Sequence, residues 1–284
     1  MSKQINVSLK NISPPSTKAM KKQVLLALSA LFIISTNACW AADDPTGIKV
    51  KADIWAANGS KYTETASAPG SNAPHGTLDT NFLKLSAEKS FGKIHVEGVL
   101  NSGNILKQKM YLDQAETDRV DIDGDIIGGE INGYYRMGTP SRYLDAGVGY
   151  LHSKTTKEFY NHTVAGVPDA ARQGNFGNFK MTTDVLAAKL RGRTMRGNVG
   201  VEGSASYGPA WNSTTVTGWA GTTHEKAKGY NSILEGAVIW TPRPAMEVKA
   251  GYRDETLYFD PPSEGKHDLD IKFKGFFVAG IWQF

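Results

Sequence analysis

Residues 268–284 read DLDIKFKGFFVAGIWQF. Phe276, Val278, Gly280, Trp282 and Phe284 occupy alternate positions. Side chains on a β-strand point by turns to opposite faces, so these five share one apolar face. The same period of two recurs upstream. Met246, Val248, Ala250 and Tyr252 alternate with Glu247, Lys249, Gly251 and Arg253. Leu144, Ala146, Val148 and Tyr150 alternate with Asp145, Gly147 and Gly149. Ile94, Val96, Gly98 and Leu100 alternate with Lys93, His95 and Glu97, and Ile48 to Ala56 alternate with Lys49, Lys51 and Asp53. Beyond Ala42 no window keeps a helical period of 3.6.

The alternation marks ten strands, at roughly 47–57, 79–89, 92–102, 121–137, 142–153, 179–191, 195–207, 229–240, 245–259 and 268–284. Their connections alternate in length. Ser90-Phe91, Gly138 to Ser141, Gly192 to Thr194 and Thr241 to Pro244 read as tight turns. The stretches 58–78, 103–120, 154–178, 208–228 and 260–267 are polar and read as long loops. A soluble β-sandwich has no reason to gather every short turn at one end. A transmembrane barrel does gather them there, and its closure pairs every backbone group away from water. The fold class is therefore all-β, a closed antiparallel transmembrane β-barrel of ten strands, with eight or twelve as the alternatives. Trp55, Phe82, Tyr134, Tyr135, Tyr143, Tyr207, Tyr230, Trp240, Tyr252 and Tyr258 lie near strand ends, where interfacial girdles form.

The 284-residue chain carries a formal charge of +4. Five of its 32 basic side chains (Lys3, Lys10, Lys18, Lys21 and Lys22) and none of its 28 acidic ones lie in residues 1–41. The remainder holds 27 basic and 28 acidic side chains and is close to neutral. That excludes a basic nucleic-acid surface. Residues 1–41 read as a secretory signal. Lys21-Lys22 precede an apolar run from Val24 to Ser35 that is too short to span a bilayer, and Cys39-Trp40-Ala41 offers a cleavage site. Met20 is a natural start, with 1–19 either an upstream extension or a long charged n-region, and 42–284 form one barrel domain. The expected location is the outer membrane of a Gram-negative bacterium, reached by the general secretory route. A mean hydropathy of −0.34 argues against helical spans only, because half of each barrel strand is polar.

The closing strand resembles the C-terminal signature of Gram-negative outer-membrane barrels. That resemblance implies recognition by the barrel-insertion machinery through Phe276, Val278, Gly280, Trp282 and Phe284. Residues 230–284, with Gly251-Tyr252-Arg253 and Leu269 to Phe277, are also similar to the closing hairpin of a family of small proteobacterial outer-membrane proteins without assigned activity. Ile54-Trp55 fits the start of that family loosely. The likeness implies a barrel and transfers no function.

The polar faces carry Lys49, Lys51, Asp53, Glu97, Glu130, Arg136, Asp145, Glu202, Glu235, Glu247 and Arg253, with His152 counted among them. Both signs are mixed in a narrow lumen, so pairing across it is expected. Two functional readings follow: a structural barrel with a salt-bridged lumen, or a narrow porin-like pore whose charges select solutes. Asp121, Asp123 and Asp125 share one face near the outer rim. A solvated acidic rim is the plain reading, and weak Ca²⁺ or Mg²⁺ binding is the functional one; Asp254-Glu255 and Asp268-x-Asp270 add acid on the outer half of the last hairpin, where lipopolysaccharide-bridging cations would sit. No other cofactor is indicated. The competing enzyme reading is a surface hydrolase or lipid-modifying barrel. A protease of the omptin kind would draw on Asp121, Asp123 and His152, but no local motif supports it. The partners expected are outer-membrane lipid and lipopolysaccharide. Catalytic residues are not assigned.

Overall fold

The computed structural model describes residues 47–284, apart from 59, 66–73, 219–220 and 261–267. The expected signal segment and Met20 therefore lie outside the described residues. In chain order the strands are β1 (Ile48–Ala57), β2 (Lys61–Thr65), β3 (His75–Thr77), β4 (Thr80–Phe91), β5 (Ile94–Tyr111), β6 (Asp118–Thr139), β7 (Arg142–Val164) and β8 (Val167–Pro168). A single 3-10 turn (Ala170–Arg172) follows. The remaining strands are β9 (Asn175–Arg196), β10 (Val199–Gly218), β11 (Gly221–Arg243), β12 (Met246–Asp260) and β13 (Asp268–Gln283).

Ten of these close a ring: β1, β4, β5, β6, β7, β9, β10, β11, β12 and β13, each antiparallel to its neighbours. Closure is made by the last residues pairing with the first. Lys49 faces Gln283, Trp55 faces Phe277, and the Ile48 and Phe284 backbones exchange bonds of 3.1 and 2.9 Å. The apolar C-terminal strand is thus the seam of the barrel.

Four two-residue turns join strands at the end where that seam begins. They are Gly92-Lys93, Pro140-Ser141, Gly197-Asn198 and Pro244-Ala245. Gly92 and Gly197 adopt φ of +64° and +59°, the left-handed conformation that a two-residue hairpin demands and glycine supplies without strain. The turn expected at Gly192 to Thr194 is continuous strand, and the chain reverses at Gly197-Asn198 instead.

The opposite end departs from the expectation. The stretches 103–120, 154–178 and 208–228 are mostly strand, not loop. β7 and β11 each run for 23 residues, about twice what a bilayer requires. The wall above β1 and β4 is continued by the β2–β3 hairpin, with β2 pairing β13 and β3 pairing β5. The segment 261–267 lies outside the described residues.

Two different amphipathic walls result. In the lower half the outward side chains are apolar and exposed: Ile48 and Ile54 on β1, Leu100 on β5, Ile127 and Ile131 on β6, Val148 on β7, Leu190 on β9, Leu234 and Val238 on β11, Phe276 and Val278 on β13. This belt covers 127–137 of β6 and 276–284 of β13, lengths that match a bilayer. In the upper half the inward side chains are apolar. Val120, Ile122, Ile126, Met181, Val185, Leu257, Phe259, Ile271 and Phe273 are buried, while Asp121, Asp123, Lys180, Lys226, Lys228, Lys272 and Lys274 occupy the alternate, outward positions.

The girdle expectation divides by the same parity. Tyr135, Tyr207, Trp240 and Tyr252 are exposed on the outer wall. Tyr207, Tyr230 and Tyr258 form an external ladder with ring centroids 5.7 and 5.3 Å apart. Trp55, Phe82, Tyr134 and Tyr143 point inward and are buried. They fall on the odd positions of β1 and β7 and the even positions of β4 and β6, which face the lumen.

Candidate functional site

The interior of the lower half holds a layer of charge. Lys49, Lys51, Asp53, Glu97, Glu130, Glu202, Glu235, Glu247 and Arg253 line one cavity of about 150 Å³ there, together with Lys84, Glu88, Lys189, Arg191, Arg193 and Lys249. Arg136 and Asp145 lie alongside. Asp145 is fully buried and accepts from two arginines. Arg136 donates through Nε and Nη2, both at 2.8 Å, and Arg191 donates through the same atoms at 3.1 and 2.8 Å. Arg191 also reaches Glu88 at 2.9 Å, and His95 faces Glu88 at 3.2 Å.

A second cluster centres on Arg253, which bonds Asp53 at 3.0 Å and Glu235 at 2.5 and 2.7 Å. Lys51 pairs with Asp53 at 3.3 Å. Arg193 grips Glu247 with two bonds of 2.9 and 2.8 Å, the bidentate geometry that a guanidinium fork makes strong. Lys249 pairs with Glu202, and Lys189 with Glu130.

Several of these pairs cross the lumen. Arg191 and Glu88 stand on β9 and β4, four places apart round the ring, and Arg193 and Glu247 stand three places apart. Aromatic faces cover the guanidinium groups: Arg136 lies 3.9 Å from the centre of the Tyr143 ring, and Arg253 lies 4.9 Å from that of Trp55. Lys84, Glu88, Lys189, Arg191 and Arg193 complete the network. Lys84 and Glu88 are legible as alternating polar residues of β4, whereas the sequence singles out neither Lys189 nor Arg191 and places Arg193 in a turn that the structure shows as strand; the cross-lumen partners depend on ring closure.

Above this layer the interior turns apolar. Trp55 and Phe82 stack at 4.7 Å, and Phe273 meets Phe82 edge-on at 5.4 Å. A cavity of about 60 Å³ sits at this level. Higher still is a wider chamber of about 540 Å³, walled by Met110, Leu112, Val120, Phe176, Phe259 and Leu269 among others. Between the two, Lys157 is 2% exposed. Its Nζ lies 3.9 Å from the centre of the Tyr62 ring and 4.8 Å from that of Phe179. Burial pushes its ammonium down to about 7, with Glu64 opposing the shift.

The acidic rim residues face outward and do not converge. Asp121 takes Lys107 at 3.9 Å and a bond from Asn161 at 3.1 Å. Asp125 accepts from Asn104 at 3.2 Å. Burial, then the neighbouring Glu158 charge, raises the Asp123 carboxyl. Among the described residues no group of three His, Cys, Asp or Glu side chains is placed to hold a metal ion. Asp254 pairs outward with Lys274 at 2.9 Å, whereas Glu255 points inward.

His152 is also outside the lumen. It lies 2.8 Å from Asp184 on the outer wall, and Tyr150 donates to the same carboxylate at 2.6 Å. Its register partner on β6 is Gly129, eight residues from Asp121, or about 26 Å along the strand. Asp121, Asp123 and His152 therefore do not form one site. His162 was placed in a loop by the sequence but is buried within β7, where Asn161 at φ +50° breaks the alternation. Its two ring nitrogens face Asp118 at 2.6 Å and Asp169 at 3.0 Å, which ties the short 3-10 turn to the wall.

The ring of strands agrees with a known structure. The outer-membrane protease OmpT of Escherichia coli superposes with a TM-score of 0.65 at 10% identity, over 86% of this chain and 100% of that one. The fold is that of a Gram-negative outer-membrane β-barrel. The translocator domain of the autotransporter NalP from Neisseria meningitidis matches the barrel at a TM-score of 0.42 and 10% identity, over 94% of this chain and 98% of that one. The attachment invasion locus protein Ail of Yersinia pestis matches at 0.32 and 11%, over 84% and 99%. No protein family's sequence profile matches the barrel, and no curated protein matches it.

Proposed function

We propose that this outer-membrane barrel is non-conducting and non-catalytic, with a membrane half locked by paired charge and an outer half that works as a binding chamber. The observation that carries the reading is the set of cross-lumen ion pairs, Arg191–Glu88 and Arg193–Glu247. A pore that selected solutes would need its charges free along a continuous path. Here each arginine fork is engaged by at least one carboxylate, and breaking such a pair leaves a costly buried charge. The reading without catalysis is supported by the His–carboxylate pairs. His162 has both nitrogens engaged, and His152 lies on the outer wall without a hydroxyl or thiol partner at its Nε2 among the described residues.

Planar-bilayer recording of the purified protein tests this. Silence is the expected outcome, and stepwise conductance would return the narrow-pore reading.

The same proposal includes lipopolysaccharide contact, supported by exposed Lys154, Lys180, Lys226 and Lys228 just above the aromatic ladder. The charge would meet lipid phosphates there, without a metal bridge at Asp121, Asp123 and Asp125. Recognition by the insertion machinery is supported by Phe276, Val278, Gly280, Trp282 and Phe284, which share the lipid face of the seam strand.

A further inference from the structure

A lysine as deeply buried as Lys157 is ordinarily ion-paired. Yet no carboxylate oxygen among the described residues lies within 4.0 Å of its Nζ. The charged groups around it come from few elements. β2 supplies Glu64, which accepts a bond from the Tyr62 hydroxyl. The cavity below holds Lys84, Glu130, Lys189 and Glu255, while the segments of β6 and β9 packed against Lys157 bring Ile126, Phe179, Met181 and Thr183. Lys84 and Lys189 oppose a further positive charge. Among the described residues the Tyr62 and Phe179 ring faces cover the amine; both rings also line the outer chamber, and Lys157 itself lines the smaller cavity below them.

We propose that the chamber binds an apolar monocarboxylate, its hydrocarbon or aryl part among Met110, Leu112, Val120, Phe176, Phe259 and Leu269 and its carboxylate on Lys157 Nζ. This deepens the binding-chamber reading and rests on it.

The chemistry narrows the class. The chamber's walls reward removal of apolar surface from water. One amine offers a single positive charge, and Glu64 and Glu225 on the chamber wall repel a multiply charged anion such as a phosphate. A desolvated ion pair at Lys157 is far stronger than the same pair in water. For the carboxylate to reach the amine, the Tyr62 ring must swing aside. Tyr62 stands on the five-residue β2, and displacing its ring uncovers the amine. Binding takes up a proton wherever Lys157 is neutral, so affinity is constant from about pH 5.5, above the ligand's own titration, to about pH 7 and falls by up to tenfold per pH unit above it.

The test is isothermal titration calorimetry on the folded full-length protein in lipid nanodiscs, with 4-phenylbutyrate and its uncharged counterpart 4-phenylbutanol. Expected results are 1:1 binding of 4-phenylbutyrate, at least tenfold weaker at about pH 8.5 than at about pH 6. Lys157→Met removes that binding, and Glu64→Gln strengthens it severalfold. If Lys157→Met does not fold, the pH dependence and Glu64→Gln still decide. Absence of binding, equal affinity for the alcohol, or affinity independent of pH overturns the assignment. Stepwise conductance would overturn the closed-barrel reading alone. A silent bilayer without carboxylate binding would overturn the ligand alone.

Discussion

The two halves of this barrel are built inside out with respect to one another. In the lower half, Val278 and Phe276 face lipid while Asp145, Arg191 and Arg253 fill the lumen. In the upper half, Ile122, Leu257 and Ile271 fill the interior while Asp121, Lys226 and Lys272 face outward. A single strand changes sides: β13 carries outward Phe276 and Val278 near its end and inward Ile271 and Phe273 near its start. The inversion follows from the solvent. Where lipid surrounds the wall, apolar groups belong outside and backbone closure keeps the fold. Where water surrounds it, the ordinary rule of an apolar interior returns.

The largest break in this comparison should come from the charge layer. Asp145→Ala removes the carboxylate that Arg136 and Arg191 share and leaves Glu88 as their one remaining acidic partner among the described residues, and should cost about 3–5 kcal/mol, read as a lowered urea midpoint in detergent. Ile271→Ala should cost about 2–5 kcal/mol. Its neighbour Lys272→Ala should change stability by less than about 0.5 kcal/mol. If the outer half were loop, Ile271 would matter no more than Lys272. Val278→Lys, on the lipid face, should cost about 2–4 kcal/mol, and a change as small as that of Lys272 would place it outside the bilayer.

The pH dependence sharpens the contrast more gently. Lys157 ionises near 7 in the fold, against 10.5 as an ordinary lysine. Between those values the unfolded chain holds more protons, so stability rises with pH, by up to about 1.4 kcal/mol per unit. Below about 7 the cost of the buried charge is fully present. Lys157→Met should flatten that rise. Smallest is Asp123→Asn, which relieves a raised carboxyl. A gain within about 0.5 kcal/mol is expected, and added Ca²⁺ should leave the midpoint unmoved. A calcium-dependent rise would restore the cation rim.

The lower half was legible because its alternation has an oily side. Ile94, Val96 and Leu100 against His95 and Glu97 can only be a strand between lipid and lumen. The upper half was not, although its alternation is as regular. In 208–218 the inward residues Ala210, Asn212 and Thr214 are small or polar, so no apolar stripe appears and the segment reads as loop. Around Asp121 the carboxylates point to a rim, whereas the structural information lies in Val120 and Ile122 beside them.

Sequence by itself determined the period, the number of strands and which residues face the lumen near the membrane, because parity is a local property of an extended chain. Only the tertiary structure decided which charges meet, since Arg191 and Glu88 are 103 positions apart by number and become partners through ring closure. The height of the wall and the isolation of Lys157 were likewise set there. Each depends on what the strands on either side, and the medium beyond them, bring to the same level of the barrel.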